Sequence, residues 1–112
     1  MDRQNPNYKG NVAEAAIVAH ATRLGIDVLR PQVEHCRYDL AFDLGPRIIR
    51  VQCKWAPRHG DVIAVNLTSS RRSSAGREIR RTYSRAEIDA IVAYCDDLDA
   101  CYLVPIELAA GR

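Results

Sequence analysis

One stretch constrains the fold of this chain more than any other: Tyr38 to Lys54, two runs of strict alternation joined by Gly45-Pro46. In the first run Tyr38, Leu40, Phe42 and Leu44 alternate with Asp39, Ala41 and Asp43. In the second, Ile49, Val51, Cys53 and Trp55 alternate with Arg50, Gln52 and Lys54. A period of two is the mark of a strand with one apolar and one polar side. Two such runs around a Gly-Pro turn read as a β-hairpin, with Pro46 making the connection looser than an Asn-Gly turn. On that reading Asp39, Gln52 and Lys54 share one face. A carboxylate, an amide and an ammonium on a rigid surface suit the gripping of a metal ion and a phosphate. They equally describe an ordinary half-exposed hairpin, so the rest of the chain has to decide.

At 112 residues the chain fits one domain with a real core and is too short for two. No run approaches the roughly 18 to 20 apolar residues of a membrane span. The opening Met1-Asp2-Arg3-Gln4-Asn5-Pro6 has no signal-peptide character, so the expected location is cytoplasmic, with no membrane partner. Cys36, Cys53, Cys95 and Cys101 show no CxxC spacing and fall in apolar patterns. They are expected to be buried free thiols of a reduced compartment, neither disulfides nor a zinc site.

The net charge of +2 conceals an asymmetry. Between Ser69 and Arg85 lie Arg71, Arg72, Arg77, Arg80, Arg81 and Arg85 against the single acid Glu78, while Glu87, Asp89, Asp96, Asp97, Asp99 and Glu107 follow. A basic segment rich in Ser, Thr and Gly, without a bulky apolar face, suits a phosphate backbone better than a membrane surface. A solvated loop has the same composition.

The remaining pattern supplies the elements. Residues 1–10 carry no periodicity and are expected as a lead-in. Asn11 is a candidate N-cap for a helix through Leu24, with Gly25 as its left-handed end. Glu14 lies three residues after Asn11 and can close a capping box there. It also shares a face with Ile17, Val18 and Ala21, which directs it toward the sheet. A strand over 26–33, with Pro31 near its end, precedes the hairpin. A break at Ala56–Gly60, a strand over Asp61–Leu67 and a basic loop over 69–84 follow. Ser84 and Glu87 form a capping-box pattern that predicts a helix through Asp97, its apolar stripe made by Ile88, Ile91, Val92 and Cys95. A last strand spans Ala100–Leu108. This order predicts an α/β fold, one mixed sheet covered by helices.

Hydrolysis of a phosphodiester requires charge stabilisation at phosphorus and an activated water, work that divalent metal ions perform. Magnesium takes hard oxygen ligands, usually one or two protein carboxylates plus substrate phosphate oxygens. Asp39 is the obvious ligand, the Gln52 amide oxygen and the Cys53 main-chain carbonyl are further donors, and Glu14 reaches the metal's waters across the helix–sheet gap. Lys54, two residues beyond Gln52, puts a positive charge beside the scissile phosphate and helps orient the attacking water.

Glu14 in a first helix, Asp39 at the start of one strand and Gln52-Cys53-Lys54 on the next resemble the PD-(D/E)XK nuclease signature, with Tyr38-Asp39 in place of Pro-Asp and Gln52 in place of the acid. Lys9-Gly10-Asn11-Val12-Ala13-Glu14, Tyr38-Asp39-Leu40, Val51-Gln52-Cys53-Lys54 and the late Tyr94-Cys95 and Cys101-Tyr102-Leu103-Val104-Pro105 narrow the likeness. They resemble the group that includes intron-encoded homing endonucleases with a QxK motif, over about Lys9 to Pro105. The resemblance implies a restriction-endonuclease-like mixed sheet flanked by helices, as a single nuclease domain over 1–112. It implies cleavage of double-stranded DNA with Mg2+, for which Mn2+ substitutes, leaving 5′-phosphates, by a homo-oligomer, dimer or tetramer. The catalytic set expected from it is Glu14, Asp39, Gln52 and Lys54, and the metal set is Asp39, Glu14, Gln52 and Cys53. Lys9, Arg50, Arg71, Arg72, Arg77, Arg80 and Arg81 are expected DNA contacts, Arg50 at the rim of the site. Two other readings stay open: a structure-selective nuclease acting on four-way Holliday junctions, and an inactive nucleic-acid-binding module in which Gln52 marks the lost acid.

Overall fold

The computed structural model describes residues 5–34, 36–65, 68–72, 78–82 and 84–109. Helix α1 (Pro6–Arg23) starts six residues earlier than an N-cap at Asn11 predicts, so residues 6–11 are helical. The start is set by Asn5, extended at φ −63° and ψ 127°, whose side chain accepts the Asn7 N–H at 2.8 Å. Pro6 follows at the first helical position, where its missing N–H costs nothing. The end is as the sequence predicts: Gly25 adopts φ 81°, its N–H reaches the Thr22 carbonyl at 3.0 Å, and the Ile26 N–H reaches Ala21 at 3.0 Å. These are the two closing bonds of a Schellman motif.

Strand β1 (Asp27–Leu29) is shorter than the expected 26–33, stopping before Pro31, which has no N–H to give a ladder. The predicted hairpin forms from β2 (Leu40–Asp43) and β3 (Ile48–Trp55), in register from Leu40↔Val51 to Asp43↔Ile48. In its connection Gly45 takes φ 93° and donates to Asp43 Oδ1 at 2.9 Å. Strands β4 (Arg58–His59) and β5 (Val62–Ile63) make a small hairpin around Gly60, in place of the longer strand expected over Asp61–Leu67. Strands β6 (Thr68–Arg72) and β7 (Glu78–Thr82) pair antiparallel as a separate two-stranded ribbon. The segment expected as a basic loop is thus extended and paired where it is described; Arg77 lies outside the described residues.

The helix expected from Ser84 to Asp97 is absent, and most of that stretch is strand β8 (Ala90–Cys95). Ser84 Oγ does donate to Glu87 Oε1 at 3.2 Å, and the Ser84 carbonyl accepts from Glu87 and Ile88, but this makes one turn only. From Ala90 to Cys95 every residue is buried, and β8 pairs parallel with β3 and antiparallel with β9 (Ala100–Pro105). A strand covered on both sides reads as a continuous apolar run, in which helical spacing finds matches that mean nothing. The β-branched and aromatic Ile91, Val92 and Tyr94 favour the extended form. The chain then makes the short α2 (Ile106–Ala109), where the sequence predicts continued strand.

The main sheet runs β1-β2-β3-β8-β9, mixed because only β3 and β8 are parallel. α1 covers one face, burying Ala13, Ile17 and Ala21 against Leu40, Val51 and Val92. On the other face Ile88, Ile91 and Ile106 form a second cluster with Tyr38 and Val104 against it. Each buried Ile or Leu contributes about 1.5–3 kcal/mol relative to exposure. Because Val51 and Cys53 pack on the α1 side, alternation assigns Arg50, Gln52 and Lys54 to the opposite face. Among the described residues no helix is long and apolar enough to cross a membrane.

Candidate active site

The site is built where β2 begins. Asp39 lies one residue before the strand, and its own N–H donates to the Val51 carbonyl at 2.9 Å. Its Oδ2 accepts the Cys53 N–H at 2.8 Å, so the carboxylate ties the end of the β2–β3 pairing to the main chain of β3. Burial raises the affinity of Asp39 for a proton, the Cys53 N–H opposes that, and Glu14 adds to it while Lys54 works against it. The net direction is upward from 3.8, so the carboxyl holds its proton more firmly than an ordinary aspartate. The Cys53 thiol is likewise pushed up by burial and by the charges of Asp39 and Glu14, which leaves it a neutral packing group and its carbonyl the only donor of interest.

Glu14 comes from α1. The helix runs through Asn11, so the capping-box role is unavailable to Glu14, and it sits half-buried beside Asp39 as the face argument predicts. Its Oε1 pairs with the Arg30 guanidinium. Glu14, Arg30, Tyr38 and Asp39 line an open cleft of about 500 Å³. Gln52 carries its amide oxygen into a buried position where it has no hydrogen-bond partner among the described residues. An unsatisfied buried acceptor costs about 1–3 kcal/mol, so it is the kind of atom a native protein keeps for a ligand. Lys54 is partly buried; burial lowers its proton affinity, Asp39 raises it, and the Arg37 charge lowers it further, with a net downward shift. Arg37 itself pairs with Glu87.

The structure therefore gathers Glu14, Asp39 and Cys53 and sets Lys54 within reach of the Asp39 charge, with Gln52 on the same strand face as Lys54, and it adds Arg30 and Arg37, which the sequence does not single out. Arg30 had one available signal, its place between a strand and Pro31. The pairing of Arg37 with Glu87 spans fifty residues and leaves no local pattern. Among the described residues no cluster of three or more His, Cys, Asp or Glu forms a metal site. The donors here are two carboxylates, an orphaned amide oxygen and a main-chain carbonyl, an all-oxygen set that fits a hard divalent cation completed by water and phosphate.

Arg50 differs from the expectation that it stands at the rim. Its main-chain N–H donates to Asp89 Oδ2 at 2.8 Å, Nε reaches the same oxygen at 3.2 Å, and its terminal nitrogens donate to the Ala86 and Arg85 carbonyls at 2.9 Å each. Burial opposes ionisation of Asp89, but the hydrogen bonds from Arg50 outweigh it and hold the carboxyl below its ordinary value. Asp89 also returns its N–H to the Arg50 carbonyl at 2.8 Å, closing a clamp between β3 and the start of β8. Lys9 lies over the Trp55 ring, its Nζ 5.8 Å from the ring centroid. Arg71, Arg72, Arg80 and Arg81 occupy the β6–β7 ribbon, where Ser70 is opposite Arg80 and Ser69 opposite Arg81.

Comparison with known proteins meets this geometry. The mixed sheet with its covering helix matches the solved structure of a bacterial homing endonuclease, I-Ssp6803I, with a TM-score of 0.76 at 24% sequence identity, covering 95% of this chain and 72% of that one. At that identity the likeness is one of fold. Among curated proteins none matches by sequence. The PD-(D/E)XK endonuclease family matches residues 4–112, nearly the full length. With that match added to an acid from the first helix, an aspartate at the head of one strand and a lysine on the next, the chain belongs to the PD-(D/E)XK endonuclease family.

Proposed function

We propose that the chain is a metal-dependent endonuclease of double-stranded DNA, folded as a single nuclease domain, with Glu14, Asp39, Gln52 and Lys54 as its working groups. The observation that carries this is the buried Gln52 Oε1, without a partner among the described residues, on the strand next to Asp39. Groups in that condition cost stability and are kept where a ligand completes them. Asp39, Glu14, Gln52 and the Cys53 carbonyl would hold Mg2+, for which Mn2+ substitutes. When bound, the metal supplies Lewis-acid stabilisation at phosphorus and a more acidic water.

The protein's part is positioning. The Cys53 N–H fixes the Asp39 carboxylate against β3. Lys54, as a cation, would meet the phosphate and orient and polarise the attacking water. The β6–β7 ribbon contributes Arg71, Arg72, Arg80 and Arg81 to phosphate contact, with Lys9 and Arg77 as further contacts, so affinity falls steeply with salt. A two-stranded ribbon has the dimensions to enter a major groove. The similar solved structure is that of a homing endonuclease, which supports a homing-endonuclease-like activity. One site cuts one strand, so double-strand cleavage calls for a homo-oligomer of at least two copies.

Gln52 favours one other reading, a binding module without turnover, because an amide stands where the family signature has an acid. Incubation of supercoiled plasmid with Mg2+, Mn2+ or chelator decides between them. The nuclease reading expects nicked and linear products with either metal and none with chelator, and a loss of about 10²–10³-fold for Lys54→Ala. Cutting that survives Lys54→Ala undiminished would sink the mechanism. Salt-dependent binding without cutting in either metal would establish the module instead. A four-way junction compared with matched linear duplex separates sequence-directed from structure-selective cutting.

A further inference from the structure

Glu14 is held by a cation that the mechanism above does not use. Arg30 leaves the sheet directly after β1, and Pro31 turns the chain away behind it. Its guanidinium pairs with Glu14 Oε1, and both residues line the cleft whose floor includes Asp39. The Arg30 side chain is 59% exposed and that of Glu14 30%, so the pair contributes little to stability and is easily exchanged for another partner.

We infer that Arg30 is a positioning residue: it holds Glu14 in the metal-free site, yields it to an incoming divalent cation, and turns its freed guanidinium to the DNA phosphate in the cleft. The inference rests on the nuclease reading of this site. Without a cation, Glu14 and Asp39 are like-charged carboxylates lining the same cleft, and like charges so placed repel. Arg30 offsets that repulsion by neutralising Glu14. A divalent cation does the same with two charges and competes for the same oxygen. The planar fork of a guanidinium matches carboxylate and phosphate oxygens equally well, so the group displaced from one finds its equivalent in the other. Charge balance is kept throughout, with Arg30 countering Glu14 before the exchange and the phosphate after it.

The test is Arg30→Gln, with Arg30→Lys beside it, in the full chain. Mn2+ binding is titrated by electron paramagnetic resonance without DNA, and cleavage is measured at saturating metal. Arg30→Gln is expected to bind Mn2+ roughly tenfold more tightly, because a competing charge is gone. It is expected to cut about 10-fold to 100-fold more slowly, because a phosphate contact is lost. Arg30→Lys, which keeps the charge but not the fork, should retain the wild-type Mn2+ affinity and still cut more slowly. A merely structural role would weaken metal binding and cleavage together, and that result overturns the inference, as does unchanged Mn2+ affinity in Arg30→Gln. If wild type binds Mn2+ and cuts DNA while Arg30→Gln matches it, this inference alone fails. If wild type neither binds Mn2+ nor cuts, the nuclease reading fails and takes the inference with it.

Discussion

Two stretches of the same polar strand face, two residues apart, are treated in opposite ways. At Arg50 every strong group finds a partner: Asp89 receives the main-chain N–H and the guanidinium, two carbonyls take the rest, and the Asp89 carboxyl sits below its ordinary value. At Gln52 and Lys54 the amide oxygen is buried without a partner, the facing Asp39 is pushed toward its protonated form, and Lys54 toward its neutral one. The first is a finished structural joint. The second holds a buried amide oxygen with no partner among the described residues, beside two ionisable groups shifted from their ordinary values, and it is the place where the proposed ligand would bind. Sequence alternation groups all three side chains together; only their partners separate joint from site.

Substitutions at the two places should therefore fail differently. The largest effect is expected for Asp39→Ala, which removes the central oxygen donor: DNA cleavage in Mg2+ should fall by about 10³-fold, measured as plasmid nicking, with the fold retained by circular dichroism. Next comes the joint. Arg50→Ala leaves Asp89 half-buried without its guanidinium, and denaturant unfolding should show a loss of about 1–3 kcal/mol. The conservative Asp39→Asn has the opposite sign in metal-free protein, a gain of about 1 kcal/mol, because it removes a charge that the site disfavours. If both substitutions destabilise alike, the contrast between joint and site is wrong.

The pH dependence of stability sharpens the same contrast. The folded carboxyl of Asp39 is raised, so the native state binds more protons than the unfolded chain between the ordinary value of 3.8 and the raised one. Across that window its contribution falls as pH rises, and the advantage of metal-free Asp39→Asn over wild type should grow. Asp89 is depressed, so its contribution is fully present above 3.8 and lost as pH falls through the lower folded value. Stability of wild type, Asp39→Asn and Asp89→Asn, followed by chemical denaturation between acid and neutral pH, checks both signs. The smallest expected effect lies on the ribbon: alanine at Arg71, Arg72, Arg80 or Arg81 should each lower the slope of DNA affinity against salt by about one, uniformly across sequences.

Much of the site was legible because it rests on strand period, a local property. Asp39, Gln52 and Lys54 could be assigned to one face from the alternation of Leu40, Phe42, Val51 and Cys53, and the β2–β3 register agrees. Glu14 followed from helical spacing, although the start of α1 was misplaced. The Asn5-Pro6 pair carries a stronger cap signal than Asn11 and was available to be read. Strand β8 was not legible in the same way. Ser84 and Glu87 make a genuine local contact, and the spacing of Ile88, Ile91, Val92 and Cys95 fits a helix. What decides for strand is the parallel pairing with β3, a long-range term that overrides local pattern. Arg50, Arg30 and Arg37 were misjudged or missed for a related reason: their partners Asp89, Glu14 and Glu87 are distant in sequence, and a side chain's partner is what separates a brace from a working group.

The central claim is that the strand face around Asp39 and the unpartnered Gln52 oxygen is a cation site and the clamp at Arg50 is not. Titration of Mn2+ by electron paramagnetic resonance into wild type, Asp39→Ala and Asp89→Asn tests it most directly, without dependence on DNA sequence. The expected result is binding in wild type that is lost in Asp39→Ala and kept in Asp89→Asn. Equal Mn2+ binding in wild type and Asp39→Ala would contradict it.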